Sequence, residues 1–432
     1  MSESVSLRLQ QIAQLIRQQQ LVEAEQLCRS LLRENSQLAE AWLLLSDIAF
    51  LVRRWNDAEG CLKNALSLKP DQAYYQFALA NFYQLTGQDQ LAYPELKRMA
   101  QQSSQPEIQQ SYAKVCWRLG FYQDSLAAFQ ASVQQQTDNE HYVLPLVRAL
   151  MSLDLLAEAQ NHLTVLIEST KHSGEAALLQ LHLQLKQKGI AATLESAQNW
   201  RKLYPDHQGL AHLTEALVNI KQNQLNKAGV LPAVQKQSLN WLMQHEQDIH
   251  WVGVPTQVLQ AAVEVAPAEG LWLEAGVFFG RSVNLLAKAT RRLVHGFDSF
   301  EGLPEDWKAG EQKGSYSTGG RLPEVADNVR LHKGWFEHSL PAFLATHQDK
   351  LSLLHIDCDL YSSTRTVLEQ LADRFVEGTV IVFDDFLGFP GFEQHELKAF
   401  EEFILESGWN YKLIAASLLS REVAIQLQQK IV

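Results

Sequence analysis

The stretch LSLLHIDCDLYSST at residues 351–364 opens with an apolar run that ends in two aspartates. GTVIVFDDF at residues 378–386 repeats this arrangement, again with two aspartates near its end. Runs that are almost wholly apolar predict strands buried on both faces, as in a parallel sheet covered by helices. Because STRTVLEQLADRF at residues 363–375 lies between the two runs and has a helical pattern, we expect the runs to be adjacent parallel strands.

The same alternation extends from Leu271 to the end of the sequence. The further β-rich runs are GLWLEAGV, RRLVHGFDSF, VRLHKGWF, YKLIAASLLS and REVAIQL, and the further helical runs are SVNLLAKATRR and LKAFEEFILESG. The last two β-rich runs are separated by only a few residues, so we expect an antiparallel hairpin at the sheet edge. The pattern predicts a doubly wound, mostly parallel, Rossmann-like α/β domain over residues 268–432. Ligands bind such sheets at the carboxyl ends of the strands.

The first half of the chain repeats itself with a period of about 34 residues. The sequence from Ala39 aligns without a gap on the sequence from Ala73. The matched pairs include Leu45/Leu79, Ala58/Ala92 and Leu62/Leu96. Two amphipathic helices per period, with a small residue where they cross, are typical of tetratricopeptide repeats, and residues 5–207 resemble about six of them. A generic helical bundle is the alternative.

We therefore predict an α-solenoid over residues 1–207. Such a solenoid has no chemistry of its own, and its concave surface binds a peptide, another protein or a second copy of the chain. Residues 208–267 keep a helical pattern, which we interpret as a helical cap or linker that lies against the α/β domain.

The composition is that of a folded protein, with 46% apolar and 20% charged residues among 432. Subtracting 49 Asp and Glu from 37 Lys and Arg leaves −12, so we expect the surface to repel nucleic acid and anionic lipid. The four cysteines lie far apart without a CxxC pair, which favours a reducing compartment. The sequence contains neither a recognisable secretory signal nor a membrane span, and we expect a cytoplasmic protein.

Four aspartates lie at the ends of the two runs quoted first: Asp357, Asp359, Asp384 and Asp385. Carboxylates at the ends of adjacent strands repel one another and are partly desolvated, and a divalent cation relieves this repulsion. All-oxygen ligation favours a hard ion such as Mg²⁺ over zinc. The alternative is that these aspartates are solvated turn or helix-capping residues without a metal.

The first predicted strand ends in a glycine-containing turn, LEAGVFFGRS at residues 273–282. Gly276 and Gly280 allow a tight turn and the close approach of a ligand to the backbone. Phe278 stands where a dinucleotide fingerprint has its middle glycine, which disfavours NAD. Asp298, at the end of the second strand, has the right chemistry to accept hydrogen bonds from a ribose diol. Capping of its own turn, DSFEGLP, is equally compatible with the sequence.

Taken together, the motifs ExGVxxGxS, DSFEGLP, VRLHKGWF, HIDCDLYSST and FDDF resemble the macrocin O-methyltransferase family over residues 268–427. Members of this family are class I enzymes that depend on S-adenosylmethionine and Mg²⁺ and methylate sugar hydroxyls of natural products. The resemblance therefore implies an O-methyltransferase that acts on a hydroxyl of a sugar-containing small molecule or glycan-like acceptor. The repeats would bind the acceptor or a partner, or would join two copies of the chain.

The resemblance also implies roles for individual residues. The methionine end of the cofactor would be lined by Glu274, Gly276, Gly280 and Ser282, and its ribose or adenine by Asp298 and Ser299. The metal ligands would be Asp357, Asp384 and Asp385, with Asp357 also the candidate general base and Asp359 an orienting residue behind them. Ala275 departs from the family, which often has Phe or Cys there.

Two other functions are compatible with parts of the sequence. A metal-dependent glycosyltransferase also uses an Asp-x-Asp motif and is often joined to tandem repeats. The other possibility is a scaffold whose α/β half no longer catalyses. The polar, glycine-rich stretch at residues 306–322 predicts a mobile lid, from which Tyr316 and Ser317 would reach the ligand. His332, His338, His355 and His395 lack ligand spacing, and we expect structural or solvated roles for them.

Overall fold

The computed structural model describes residues 3–134, 136–169, 173–245, 249–308 and 310–430. It divides into two compact units, residues 1–132 and residues 133–432, which are described separately. Within the described part of the chain, none of the helices combines the length and the apolar character that a membrane span requires.

The first unit is built from consecutive helices that pack against their neighbours in the chain. The helices are α1 (Glu3–Arg17), α2 (Leu21–Glu34), α3 (Ala39–Leu51), α4 (Trp55–Leu68), α5 (Ala73–Leu85), α6 (Asp89–Gln102), α7 (Pro106–Arg118) and α8 (Tyr122–Val133). Ala24, Ala58 and Ala92 recur at the predicted period, and all three are completely buried. A larger side chain at these positions would push the paired helices apart, which explains why the repeat keeps alanine there.

The second unit begins with further helices and continues into the sheet domain. These helices are α9 (Glu140–Ser152), α10 (Leu156–Ser169), α11 (Gly174–Leu203), α12 (Gln208–Gln222) and α13 (Ala233–His245). Gly189, with φ 71° and ψ −174°, interrupts α11 and divides it into two helices. Leu213 and Leu242 belong to the same hydrophobic core as the sheet residues Leu273 and Phe383. The predicted domain bounds at residues 207 and 267 stay a prediction.

An eight-stranded sheet forms the centre of this unit, in the order β1-β7-β8-β6-β5-β2-β3-β4. The strands are β1 (His250–Val252), β2 (Leu271–Ala275), β3 (Val294–Asp298), β4 (Val329–Lys333), β5 (Leu351–Ile356), β6 (Val380–Phe383), β7 (Trp409–Ser417) and β8 (Val423–Lys430). Strand β8 is antiparallel to both β6 and β7, and the other pairs are parallel. The predicted doubly wound, mostly parallel fold is confirmed.

The predicted hairpin of β7 and β8 is also confirmed, but its position at the sheet edge is wrong. Strand β1 pairs in parallel with β7, from His250 opposite Ala415 to Val252 opposite Ser417, and occupies that edge. With three residues, β1 is too short to show a strand period, and it lies in a segment whose pattern predicts helix.

Helices cover both faces of the sheet, as the apolar runs predict. They are α14 (Pro255–Val265), α15 (Arg281–Ala289), α16 (Phe336–Leu344), α17 (Tyr361–Gln370) and α18 (Glu396–Ser407), with short 3₁₀ helices at Ala372–Arg374 and Phe392–Gln394. Successive residues along a strand enter opposite cores, so that Leu353 packs in one hydrophobic layer and Leu354 in the other. Because both layers are apolar, the strands carry apolar residues at most positions, and the acidic residues of the predicted site follow the strand ends.

Three histidines meet beside β3 and β4. The rings of His295 and His332 are joined by a hydrogen bond of 3.0 Å between Nδ1 of His295 and Nε2 of His332. His347 lies edge-on to His295, with ring centroids 5.2 Å apart. Burial and the neighbouring His332 lower the pKa of His295 to about 4, and burial also lowers the pKa of His332. His332, for which a structural or solvated role is expected, packs on Phe297 in this cluster.

We expect His295→Gln to make the stability of the second unit less sensitive to acid. His295 stays neutral in the folded state, whereas the unfolded chain takes up a proton near its ordinary pKa, so protonation favours unfolding as the pH falls from about 6.5 towards 4. At pH 5.5 this linkage amounts to about 1 kcal/mol. Thermal melts of the wild type and of His295→Gln at pH 7.5 and 5.5 test this prediction. The wild type should lose more stability between the two pH values than the variant does, and equal losses of stability would contradict it.

Candidate active site

The turn after β2 and the turn after β5 touch each other through their backbones. Gly276 has φ +91°, and a Cβ atom on it would lie 1.8 Å from the carbonyl oxygen of Asp357. The N–H of Asp357 donates to the carbonyl of Ala275 at 2.8 Å, and the N–H of Gly276 donates to Phe297 at 2.9 Å. Only glycine fits this contact, because it both adopts the left-handed backbone and lacks a side chain. Residues 276–280, hereafter the glycine turn, are therefore held against the backbone of Asp357, a predicted metal ligand.

The carboxylate of Asp298 fixes the glycine turn from the other side. Its Oδ2 accepts hydrogen bonds from the N–H groups of Val277 and Phe278, both at 2.8 Å. Its Oδ1 accepts a hydrogen bond from the N–H of Phe300 at 2.7 Å. Asp298 therefore also caps its own turn, which is the alternative role that the sequence allows. A carboxylate oxygen has two lone pairs, and the predicted hydrogen bond to a ribose stays compatible with these contacts. The hydroxyl of the adjacent, buried Ser299 accepts from the N–H of Glu301 at 3.1 Å.

Glu274, which precedes the glycine turn, is completely buried and held by two side chains. The hydroxyl of Ser282 donates to its Oε1 at 3.1 Å, and Nδ1 of His355 lies 2.9 Å from its Oε2. Burial raises the pKa of Glu274. Burial alone would lower the pKa of His355, but the hydrogen bond with Glu274 and the negative charges of Glu274 and Asp384 together raise this pKa above its usual value. Glu274 and His355 therefore form a buried hydrogen-bonded pair inside the domain.

The contact between Glu274 and His355 was not predicted from the sequence. The signal was available, because both are polar residues within apolar runs, and strand pairing places them opposite each other on β2 and β5. The contact is compatible with the structural or solvated role expected for His355. Gly280, at the end of the glycine turn, begins α15 with φ +83°. A Cβ there would lie 3.2 Å from Cγ1 of Val325, so this position is also narrow.

The four predicted aspartates, hereafter the acidic cluster, follow β5 and β6. Asp357, Asp359 and Asp385 each place one carboxylate oxygen within 4.8 Å of the other two. Among the described residues, this is the group of acids, histidines or cysteines that is close enough to hold a metal ion. Asp384 is not in this group, whereas Asp359, expected to stand behind the ligands, is in it. The ligand set of Asp357, Asp384 and Asp385 stays a prediction.

The carboxylates of the acidic cluster strongly influence one another. Burial and then the charge of Asp384 raise the pKa of Asp357 well above its usual range. Burial and then the charge of Asp385 do the same for Asp359. The pKa of Asp385 is raised by burial and by Asp384. These shifts show a concentration of negative charge that a cation would relieve, and the oxygen donors fit Mg²⁺.

Two glutamates add to this charge from other parts of the chain. Glu396, at the start of α18, accepts the N–H of Asp385 at 3.1 Å, and its other carboxylate oxygen is buried without a hydrogen-bond partner among the described atoms. Burial and Asp385 raise its pKa well above the usual range. Burial and Asp384 raise the pKa of Glu422 to about 7. Neither glutamate stands in a motif, and only the fold brings them to the acidic cluster.

The loop that the sequence predicts as a lid lies beside the glycine turn. The ring of Tyr316 meets the ring of Phe278 edge to face, with centroids 5.7 Å apart. Its hydroxyl pKa is raised by burial and by the charges of Glu311, Asp359 and Asp385. The hydroxyl of Ser317 donates to the carbonyl of Phe300 at 3.4 Å. Tyr316 therefore lies between the glycine turn and the acidic cluster.

Hydrogen bonds at the base of this loop anchor it. The N–H of Leu303 donates to Ser315 at 2.9 Å, and the N–H of Gly314 donates back to Leu303 at 2.9 Å. The predicted mobility of residues 306–322 stays a prediction, and Ala309 within them lies outside the described residues.

Four residues around the site have strained backbone conformations. Phe278, Phe300, Tyr316 and Asp359 all have positive φ angles, between 50° and 63°, although none of them is glycine. Such conformations cost about 1–3 kcal/mol each and persist where the surrounding structure enforces them, often at functional sites. They turn the side chains of Tyr316 and Asp359 in directions that a regular strand or helix would not give.

The fold and this site define a class of protein: an α/β domain whose glycine turn lies beside the acidic cluster, in a chain that also carries helical repeats. The model of the family described as "Methyltransferase domain" matches residues 273–386. The model described as "Tetratricopeptide repeat" matches residues 15–81. The chain thus contains a methyltransferase domain and tetratricopeptide repeats, as the motifs indicate. The extent of about six repeats over residues 5–207 stays a prediction.

Two curated relatives match the methyltransferase half. One, from Streptomyces olivaceus, is 8-demethyl-8-(2,3-dimethoxy-alpha-L-rhamnosyl)-tetracenomycin-C 4'-O-methyltransferase, 30% identical over 135 residues that cover 27% of this chain and 51% of the relative. The other, demethyldecarbamoylnovobiocin O-methyltransferase from Streptomyces niveus, is 27% identical over 139 residues, or 28% of this chain and 52% of the relative. The chain spans about half the length of these relatives.

Among solved structures, a calicheamicin methyltransferase is 19% identical, with 55% of this chain and 93% of that chain covered and a TM-score of 0.33.

Proposed function

We propose that this protein is an S-adenosylmethionine-dependent and Mg²⁺-dependent O-methyltransferase that acts on a hydroxyl of a sugar or glycan-like acceptor. The observation that carries the proposal is the backbone contact between Gly276 and Asp357. This contact places the turn that we assign to the methyl donor directly beside the aspartates that we assign to the metal. A donor and a metal-bound acceptor held there would be neighbours, as methyl transfer requires.

The residues divide into a donor side and an acceptor side. On the donor side we assign Glu274, Gly276, Gly280 and Ser282 to the methionine end of the cofactor, and Asp298 and Ser299 to its ribose or adenine. Ser282 and His355 fix the carboxylate of Glu274, so it is already oriented before the cofactor arrives. Asp298 fixes the turn itself through two backbone N–H groups.

On the acceptor side we assign Asp357, Asp384 and Asp385 to the metal, with Asp359 close enough to join them. A bound Mg²⁺ would lower the pKa of the attacking hydroxyl and fix its orientation. Asp357 would receive the proton, because its carboxylate lies in the group of oxygens at which the metal and the hydroxyl would meet. Tyr316 would cover the space between donor and acceptor and help to exclude water.

The name of one curated relative supports the acceptor class, because that enzyme is named for a rhamnosyl compound. For the repeats we propose a peptide, a protein or a second copy of the chain as the partner on the concave surface. The methyltransferase family supports methyl transfer over the glycosyltransferase alternative.

Two measurements on the full-length chain test the proposal. Calorimetry should detect binding of S-adenosylhomocysteine and no binding of UDP-glucose. Mass spectrometry of sugar-containing metabolites incubated with enzyme, S-adenosylmethionine and Mg²⁺ should then show products that gain one methyl group, and EDTA should prevent them. Binding of UDP-glucose without S-adenosylhomocysteine would instead favour the glycosyltransferase. Methyl transfer at the full rate in EDTA would contradict the metal requirement.

A further inference from the structure

An arginine lies against the acidic cluster. Arg421 stands at the turn between β7 and β8, and its guanidinium Nη1 donates to Oδ1 of Asp385. The side chain of Asp385 is only 7% exposed, whereas that of Arg421 is 39% exposed. Asp385 is one of the predicted metal ligands, so one of its two carboxylate oxygens already has a cationic partner.

The fold holds Arg421 in this place. Gly388, with φ +79°, lies against the β7–β8 turn, and a Cβ on it would be 2.5 Å from the carbonyl oxygen of Ser420 and 3.4 Å from Cγ of Arg421. The N–H of Leu387 donates to the carbonyl of Arg421 at 3.2 Å. The guanidinium also lies 5.3 Å from the ring centroid of Phe389, within range of a cation–π interaction. The loop after β6 therefore carries Asp385 and keeps Arg421 beside it.

Negatively charged groups outnumber positively charged groups around the acidic cluster. The four aspartates act on one another and on Glu396 and Glu422, and the positive charges that act on them include Arg421 at Asp385 and Lys308 at Asp359. Lys308 forms its own ion pair with Glu311 at 3.3 Å and influences Asp359 only through its charge. The ion pair with Asp385 joins Arg421 directly to the acidic cluster.

We propose that Arg421 is a resident counter-ion of the acidic cluster: it balances part of the negative charge when no metal is bound and weakens the binding of a free divalent cation. This inference rests on the proposed function, since it presumes that the cluster holds a metal. The guanidinium and the metal share the carboxylate of Asp385, and two cations a few ångströms apart repel each other. Metal affinity would thereby be kept below what the carboxylates alone would give, so that binding also draws on the oxygens of the acceptor.

Binding of Mn²⁺ to the full-length protein, measured by calorimetry, tests the role of Arg421. We expect Arg421→Gln to bind Mn²⁺ about 10-fold more tightly than the wild type, because a positive charge beside the ion is removed. Arg421→Lys, which keeps the charge, should stay within about 3-fold of the wild type. Arg365→Gln is the matched control, since Arg365 pairs with Glu369 and Glu406 on the surface of α17 and α18 and should not change Mn²⁺ binding.

Thermal melts give a second readout that does not depend on activity. Without metal, Arg421→Gln should melt below the wild type, and Mn²⁺ should stabilise it more than it stabilises the wild type. Unchanged or weaker Mn²⁺ binding by Arg421→Gln, in a variant that still binds S-adenosylhomocysteine, would overturn the inference alone. If neither wild type nor variant binds Mn²⁺, both the inference and the metal part of the proposed function are wrong.

Discussion

We expect Gly276→Ala to bind S-adenosylhomocysteine at least about 100-fold more weakly than the wild type, a loss of about 3 kcal/mol. Alanine at φ +91° is strained, and its Cβ would lie 1.8 Å from the carbonyl oxygen of Asp357, a distance that no pair of non-bonded atoms tolerates. The glycine turn or the turn after β5 must therefore move, and either movement changes the contact between the proposed donor site and the proposed metal site. Calorimetric titration with S-adenosylhomocysteine measures the loss.

Gly391→Ala is the matched control for this substitution. Gly391 has a similar φ of +85°, but a Cβ there would find no heavy atom within 4 Å. It therefore carries the conformational strain without the collision, and cofactor binding should change little. If Gly276→Ala does not fold, Asp298→Ala tests the same turn, because it removes the acceptor of the N–H groups of Val277 and Phe278. Wild-type affinity in a folded Gly276→Ala protein would show that the turn does not bind the cofactor.

The positions of the strands could be predicted because they depend on the local pattern of apolar and polar residues. The runs that became β5 and β6 are almost wholly apolar, with Ser352 and His355 as the exceptions in β5, and only a sheet covered on both faces buries such runs completely. The carboxyl ends of parallel strands lie at one edge, so the aspartates that follow them had to be close together. The recurring, fully buried Ala24, Ala58 and Ala92 likewise reflect a packing requirement within each helical pair.

The details of the site could not be predicted, because they depend on contacts between distant parts of the chain. Arg421 reaches Asp385 only because β8 is inserted, antiparallel, between β6 and β7. Glu396 arrives from the start of α18. Asp359 joins the three closest carboxylates with φ +63°, a backbone conformation that the residue type does not reveal. Strand β1 was missed because three residues are too few to show a pattern.

Asp357→Asn is expected to lower metal-dependent methyl transfer by about 10³-fold or more, while S-adenosylhomocysteine affinity stays within about 3-fold of the wild type. The substitution keeps the shape of the side chain and removes both its negative charge and its capacity to accept the proton. The contact with Gly276 and the hydrogen bond to Ala275 involve only the backbone of residue 357, so the donor side is preserved. Asp373→Asn, at an exposed aspartate of the same domain, is the control.

The same experiment, extended to Asp359→Asn and Asp384→Asn, separates two possible ligand sets. The family resemblance assigns Asp384 to the metal, whereas the geometry brings Asp359 to Asp357 and Asp385. Replacing a metal ligand by its amide should weaken Mn²⁺ binding by the protein about 10-fold or more. Replacing a residue behind the ligands should weaken it less. If Asp357→Asn retained both Mn²⁺ binding and turnover, the carboxylate of Asp357 would be neither ligand nor base, and the proposed acceptor side would have to be abandoned.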